Sequence, residues 1–118
     1  MKGDDISERL LDFAVRVGKV VDALPDTRLG RHVAGQLIRS GTSPAPNYEE
    51  GRAAESRGDF IHKLGICLKE LRESTLWLRF ILRSGLMPAR KLTKLIDEAE
   101  QLCKIIARSK LTAQKNGE

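Results

Sequence analysis

The sequence predicts an all-α protein, specifically an up-down-up-down four-helix bundle forming a single domain over residues 1–118. Three observations carry this. The stretch Asp59 to Gly85, DFIHKLGICLKELRESTLWLRFILRSG, keeps its apolar residues on a seven-residue repeat with no proline to interrupt it. Stripes with the same alternation of threes and fours run through Leu10, Phe13, Val17, Val20 and Leu24, and through Leu92, Leu95, Ala99, Leu102 and Ile106. Finally, 41% hydrophobic residues with only 4% aromatic suits a core of Leu, Ile, Val and Ala, and leaves little for an aromatic base-stacking platform.

The first helix is expected over about 6–24. Asp5 and Glu8 are spaced as a capping box, and Pro25 stops the apolar stripe. Asp26 or Thr27 can cap the second helix, whose apolar side is read through Leu29, Val33, Leu37 and Ile38. The short turn between the two makes them antiparallel neighbours.

Within SGTSPAPNYEEG, Ser40 to Gly51, Pro44 and Pro46 each remove a donor and clash one turn back, at about 3 kcal/mol apiece in a regular helix interior. Tyr48 nevertheless falls in phase with Leu37, so the second helix is predicted over 27–54 with a kink near Ser40–Pro46. Ser40, Thr42 and Ser43 are read as hydroxyls that bond backbone at the kink, in preference to nucleophiles.

The third helix, 56–84, is capped by Ser56, with Asp59 in its first turn. Its seam is Ile61, Leu64, Leu68, Leu71, Thr75, Leu78 and Leu82, widened by Phe60, Cys67 and Ile81. Leu76, Trp77 and Phe80 add apolar surface away from that seam, more than one neighbouring helix keeps from water. After Gly85, Pro88 suits the first turn of a fourth helix over 88–108, and 109–118 is polar and expected to fray.

The opening MKGDDISERL lacks the apolar core of a secretory signal, and the apolar run Leu76 to Leu82 is broken by Arg79. A soluble, cytoplasmic protein with no membrane role is expected. Cys67 and Cys103 lie on core stripes, where a free thiol acts as a small apolar residue and resists thiol reagents.

Neither His32 nor His62 follows a glutamate at di-iron spacing, so no metal and no cofactor are expected. Gly30, Gly35, Gly41 and Gly51 match neither a phosphate loop nor a dinucleotide fingerprint, and close helix packing accounts for them better. With no nucleophile–base constellation either, the protein is read as not an enzyme.

Lys and Arg number 21 against 16 Asp and Glu, a formal charge of +5. The bundle topology sorts these charges. The turns after the first and third helices share one end, which gathers Arg28, Arg31, His32, Arg83, Arg90, Lys91 and Lys94 against few acids, chiefly Asp22 and Asp26. The other end mixes Arg9, Arg52 and Arg57 with Asp4, Asp5, Glu49, Glu50 and Glu55. Arg28, Arg31, Arg83, Arg90, Lys91 and Lys94 are therefore the candidate nucleic-acid-binding residues, the alternative being a solvated face.

Two stretches, QLIRSGTSPAPNYEEG at Gln36–Gly51 and SRGDFIHKLGICLKELRESTLWL at Ser56–Leu78, together resemble the bacterial four helix bundle proteins. These are also called intervening-sequence proteins, because members are encoded in insertions within large-subunit ribosomal RNA genes. The resemblance covers nearly the whole chain and is carried by Arg39, Ser40, Thr42, Ser43, Asn47, Glu50, Gly51, Ser56, Asp59, Phe60, Lys69, Glu70, Glu73 and Trp77. Where many members have an alanine-rich run, this chain has Gly41, Pro44 and Pro46.

The resemblance implies a bundle that assembles into a ring, a homopentamer. It also implies kinship with accessory proteins of diversity-generating retroelements, which associate with a reverse transcriptase and nucleic acid. Leu76, Trp77, Phe80, Glu70 and Glu73 are the candidate oligomer interface, with the glutamates alternatively a salt-bridged polar face beside Lys69 and Arg72. Two functional classes stand: a ring binding ribosomal RNA or DNA through its basic end, or a scaffold recruiting a protein partner with no nucleic-acid role.

Overall fold

The computed structural model describes residues 2–116, and among these it contains helices and turns but no strand. Helix α1 spans Gly3–Ala23, starting earlier than the capping box implied. Lys2 occupies the N-cap without a side-chain bond, while Asp4 and Asp5 lie inside the first turn and act on its positive end through charge. The expected Asp5–Glu8 box does not form. Ile6, Leu10, Phe13, Val17 and Val20 are buried, and Leu24 turns extended ahead of Pro25.

The second helix is bent by 18°. Its halves are α2, Arg28–Thr42, and α3, Pro44–Arg52, joined at Ser43, which keeps helical angles (φ −75°, ψ −37°). Thr27 caps α2, its Oγ1 accepting from the Gly30 amide at 3.0 Å. Pro44 sits at the first position of α3, where a missing N–H costs least. Ser40 and Thr42 hydroxyls donate back to the carbonyls of Leu37 (3.4 Å) and Ile38 (2.5 Å), the back-bonding that bends helices. Asn47 Nδ2 reaches the Ser43 carbonyl at 2.9 Å and its hydroxyl at 3.0 Å. Glu50 pairs with Lys63 at 2.7 Å.

Helix α2 buries Gly30, Val33, Leu37, Ser40 and Gly41, whereas Leu29 and Ile38, assigned to its apolar side, are exposed. Gly41 lets α1 approach, since a Cβ there would stand 2.6 Å from Val17 Cγ1, whereas a Cβ on Gly30 would strike the Pro25 carbonyl of the preceding turn. Gly51 is similarly tight, with a Cβ 3.0 Å from that of Lys63, but Gly35 faces open space, so helix packing does not explain it.

Helix α4, Arg57–Ser84, is capped by Ser56, whose Oγ accepts from the Asp59 amide at 3.1 Å. It ends at Gly85 in the left-handed conformation (φ 71°) that glycine favours. Leu64, Cys67, Leu68, Leu71, Leu78 and Ile81 form its buried face, with Ile61, Thr75 and Leu82 at the margins. The bend of the second helix is seated on this face. Cys67 Sγ donates to the Pro44 carbonyl at 3.1 Å, and Ser74 Oγ to Ser40 Oγ at 3.1 Å.

The last helix corrects the sequence expectation at both ends. Pro88 is extended and leads into a 3₁₀ turn, Ala89–Lys91, after which α5 runs over Thr93–Asn116. Instead of fraying after Arg108, α5 buries Ala113, and Arg57 Nη1 donates to the Asn116 carbonyl at 2.5 Å. Residues 117–118 of the expected tail lie outside the described residues.

The bundle measures 49 × 21 × 20 Å. α1 packs on α2, α3 and α5 but meets α4 marginally at most, so α1 and α4 occupy opposite corners. Among the described residues no helix is long and apolar enough to cross a membrane.

Candidate nucleic-acid interface

The residues gathered by topology at the basic end fall into three places. Arg90 and Lys91 come from the 3₁₀ turn and Lys94 from the first turn of α5. They meet Arg16 and Lys19 of α1 around a groove of about 390 Å³, floored by Val20, Ala23, Met87 and Leu95. None of these five cations makes an ion pair among the described residues. Arg16 and Lys19 were not among the sequence candidates, although their spacing ahead of Val20 and Ala23 on a helix ending here was the available signal.

Arg83 stands apart, beside Leu76, Arg79 and Phe80 on α4. Arg28 is exposed in the first turn of α2, and Arg31 is tied to Asp26 by an exposed ion pair of 2.8 Å. The first turns of α2 and α5, both at this end, carry no acid, while α1 and α4 begin at the other end with Asp4, Asp5 and Asp59. The positive partial charge of a helix N-terminus is thus left uncompensated where the cations cluster.

Arginines at the opposite end are engaged within the chain. Arg52 pairs with Asp4 at 2.7 Å, and Arg9 makes a forked contact with Glu98 at 3.0 and 2.5 Å. The forked bond to Glu98 pushes the Arg9 guanidinium further up from its ordinary range.

The α4 candidates form a second feature. Leu76 and Phe80 are 57% and 38% exposed. Trp77 is half-buried, edge-on to Phe80 and to His32 of α2, and its Nε1 donates to Glu73 at 3.3 Å. Glu73 and the buried Glu70 are both held by Arg39 of α2, a partner that the sequence did not reveal because it comes from another helix. Lys69 reaches Glu70 only at 3.8 Å, and Arg72 pairs with neither.

Cys67 is fully buried, which pushes its thiol up to about 12. Cys103 is only half-buried, in a groove with Arg72, Leu76 and Arg79, and burial raises its thiol also. It packs against the core from the edge of its stripe without being fully covered.

Compared with known proteins, residues 4–108 match the 23S rRNA-intervening sequence protein family. The chain is also similar to a protein of unknown function from the S23 ribosomal protein family of Bacteroides thetaiotaomicron. That crystal structure superposes with a TM-score of 0.86 at 30% sequence identity, covering 93% of this chain and 98% of the other. No curated protein matches.

Proposed function

The chain belongs to the 23S rRNA-intervening sequence protein family, and from that premise we propose that it is a non-enzymatic, ring-forming bundle whose basic end binds RNA or DNA through phosphates. The observation that supports this most directly is the groove bounded by Arg16, Lys19, Arg90, Lys91 and Lys94, free of in-chain ion pairs among the described residues. Cations not already neutralised by carboxylates release counterions when they meet phosphates, and that release drives sequence-independent binding. The groove's lining residues include no aromatic side chain, so base stacking adds little selectivity. Self-assembly, for which the resemblance favours five copies, multiplies such grooves on one particle and raises avidity.

The test is binding of ribosomal RNA fragments and duplex DNA followed by fluorescence anisotropy across a salt series. Affinity falling steeply and log-linearly with salt, with little difference between sequences, is the expected result. Absence of binding at about 50 mM salt, where screening is still weak, hands the protein to the scaffold reading. In that reading, Leu76, Trp77 and Phe80 with the Glu70–Glu73 face recruit a protein partner. The solvent exposure of Leu76 and Phe80 is the observation that keeps this alternative in play.

A further inference from the structure

Helix α1 carries an apolar stripe that its own bundle does not use. Leu11 and Val15, each 52% exposed, lie one turn apart on the side opposite Phe13 and Val17. Helix α4 carries the matching feature in Leu76 and Phe80. Because α1 and α4 occupy opposite corners, the stripes face away from each other and cannot meet within one chain.

We propose that the outer face of α1 is the surface that covers the Leu76–Phe80 face of α4 in a neighbouring copy, the two helices lying parallel. This rests on the self-assembly proposed above and names the surface that completes it. Three features of the chain support the pairing.

The first is charge. Seven residues on either side of Val15 stand the acids Glu8 and Asp22, and seven on either side of Leu76 stand Lys69 and Arg83. A heptad step returns almost to the same helix face, so both pairs flank their apolar stripe. When Val15 is set against Leu76 with the helices parallel, Glu8 falls opposite Lys69, Asp22 opposite Arg83, and Asp12 close to Arg72. Glu8, Asp12, Asp22, Arg72 and Arg83 make no ion pair among the described residues. Lys19, one turn after Val15, meets the apolar Phe80 in this register. Glu73, the acid beside the α4 stripe, is already held by Arg39.

The second is height. Val15 and Leu76 are each eight residues from the end of their helix, Ala23 and Ser84, at the same end of the bundle. Each stripe therefore lies about 12 Å below that end at ~1.5 Å per residue.

The third is symmetry. Two different faces make a heterologous contact, and one with rotation but no axial rise closes into a ring, whereas one with rise makes a filament.

The decisive experiment mixes two variants, Leu11→Glu with Val15→Glu, and Leu76→Glu with Phe80→Glu, each first checked for native helicity by circular dichroism. Native mass spectrometry at micromolar concentration should give a closed oligomer for the wild type and monomers for each variant alone. The equimolar mixture should give a one-to-one dimer, because each variant retains one intact face. A mixture that stays monomeric overturns the pairing. If the α1 variant assembles like the wild type while the α4 variant does not, α1 is not the mating face, although self-assembly stands. A monomeric wild type removes both.

A second pair of variants guards against misfolding. Asp22→Lys and Arg83→Glu should each weaken assembly and, combined in one chain, restore it. Failure of the combination to restore assembly overturns the register.

Discussion

Arg39 of α2 reaches across to α4 and places its Nη1 2.9 Å from Oε2 of Glu70, a carboxylate whose side chain is only 8% exposed. The arginine itself is half in solvent, so the pair straddles the surface and joins the two helices beside the bend. Replacing Arg39 with Met should lower stability by about 1–3 kcal/mol, chiefly because the buried Glu70 loses its main partner. Glu70→Gln should cost less, since an amide can still accept from the guanidinium. Urea unfolding of both variants checks the order, and an equal or larger loss in Glu70→Gln contradicts it.

Gly41 is a close approach between α1 and α2. Its missing Cβ would lie 2.6 and 2.8 Å from the two γ carbons of Val17. Gly41→Ala should destabilise by about 1–3 kcal/mol as the helices are forced apart. Val17→Ala in the same chain should recover part of that loss. At Gly35, where nothing stands within 4 Å, Ala should be neutral or slightly stabilising.

The two thiols should separate under native labelling. Cys67 is covered completely and donates to the Pro44 carbonyl, while Cys103 opens to a surface groove. Cys103 should react with a thiol reagent well before Cys67, which should wait for unfolding. Burial raises the Cys67 thiol from 9.0 to about 12, so between those values the native state holds a proton that the unfolded chain has lost. Its contribution to stability is therefore complete below pH 9.0 and declines as pH rises toward about 12. The stability difference between wild type and Cys67→Ala should shrink over that window.

Reversing Arg90, Lys91 and Lys94 to Glu should flatten the salt dependence of nucleic-acid binding by roughly 0.7–0.9 per lost phosphate contact, the lower figure for single strands. Arg16→Glu and Lys19→Glu should act in the same direction, since they border the same groove. Arg31→Glu should do less because Asp26 already partners it, and Arg9 and Arg57, engaged at the other end, should do least. Equal effects from all these positions would indicate binding through net charge alone.

Much of the fold was legible because it rests on single-helix periodicity. Leu64, Leu68, Leu71 and Leu78 repeat in the sequence as they do in the core, and the caps at Thr27 and Ser56 are local chemistry. What escaped depends on contacts between helices. Ser40 and Ser74 are polar by composition but buried, satisfied by each other and by carbonyls of their own helices. Leu29 and Ile38 read as core yet lie outside, because the buried stripe of α2 runs through Gly41, against Val17 of α1, and Ser40, against Ser74 of α4.

The extension of α5 escaped for another reason. Among the described residues beyond Arg108 the one buried apolar side chain is Ala113, and one small residue sets no periodicity. The basic site was half legible: topology put Arg90, Lys91 and Lys94 at one end, but Arg16 and Lys19 join them only once α1 is docked.

The bend at Ser43 has a consequence for how the native state opens. Pro44 and Pro46 have no amide N–H, so the carbonyls of Ser40 and Thr42 lack the donors four residues on that a regular helix supplies, and the hydrogen-bond ladder misses those two rungs in one turn. Fraying that starts at Arg52 therefore meets a discontinuity before it reaches α2. In amide exchange, α3 and the first turns of α4 should behave as one cooperative unit and α2 as another, with different opening free energies. The mixed-charge and basic ends of the bundle should to that extent be separate thermodynamic compartments, and loosening the first should leave the groove at the other in place.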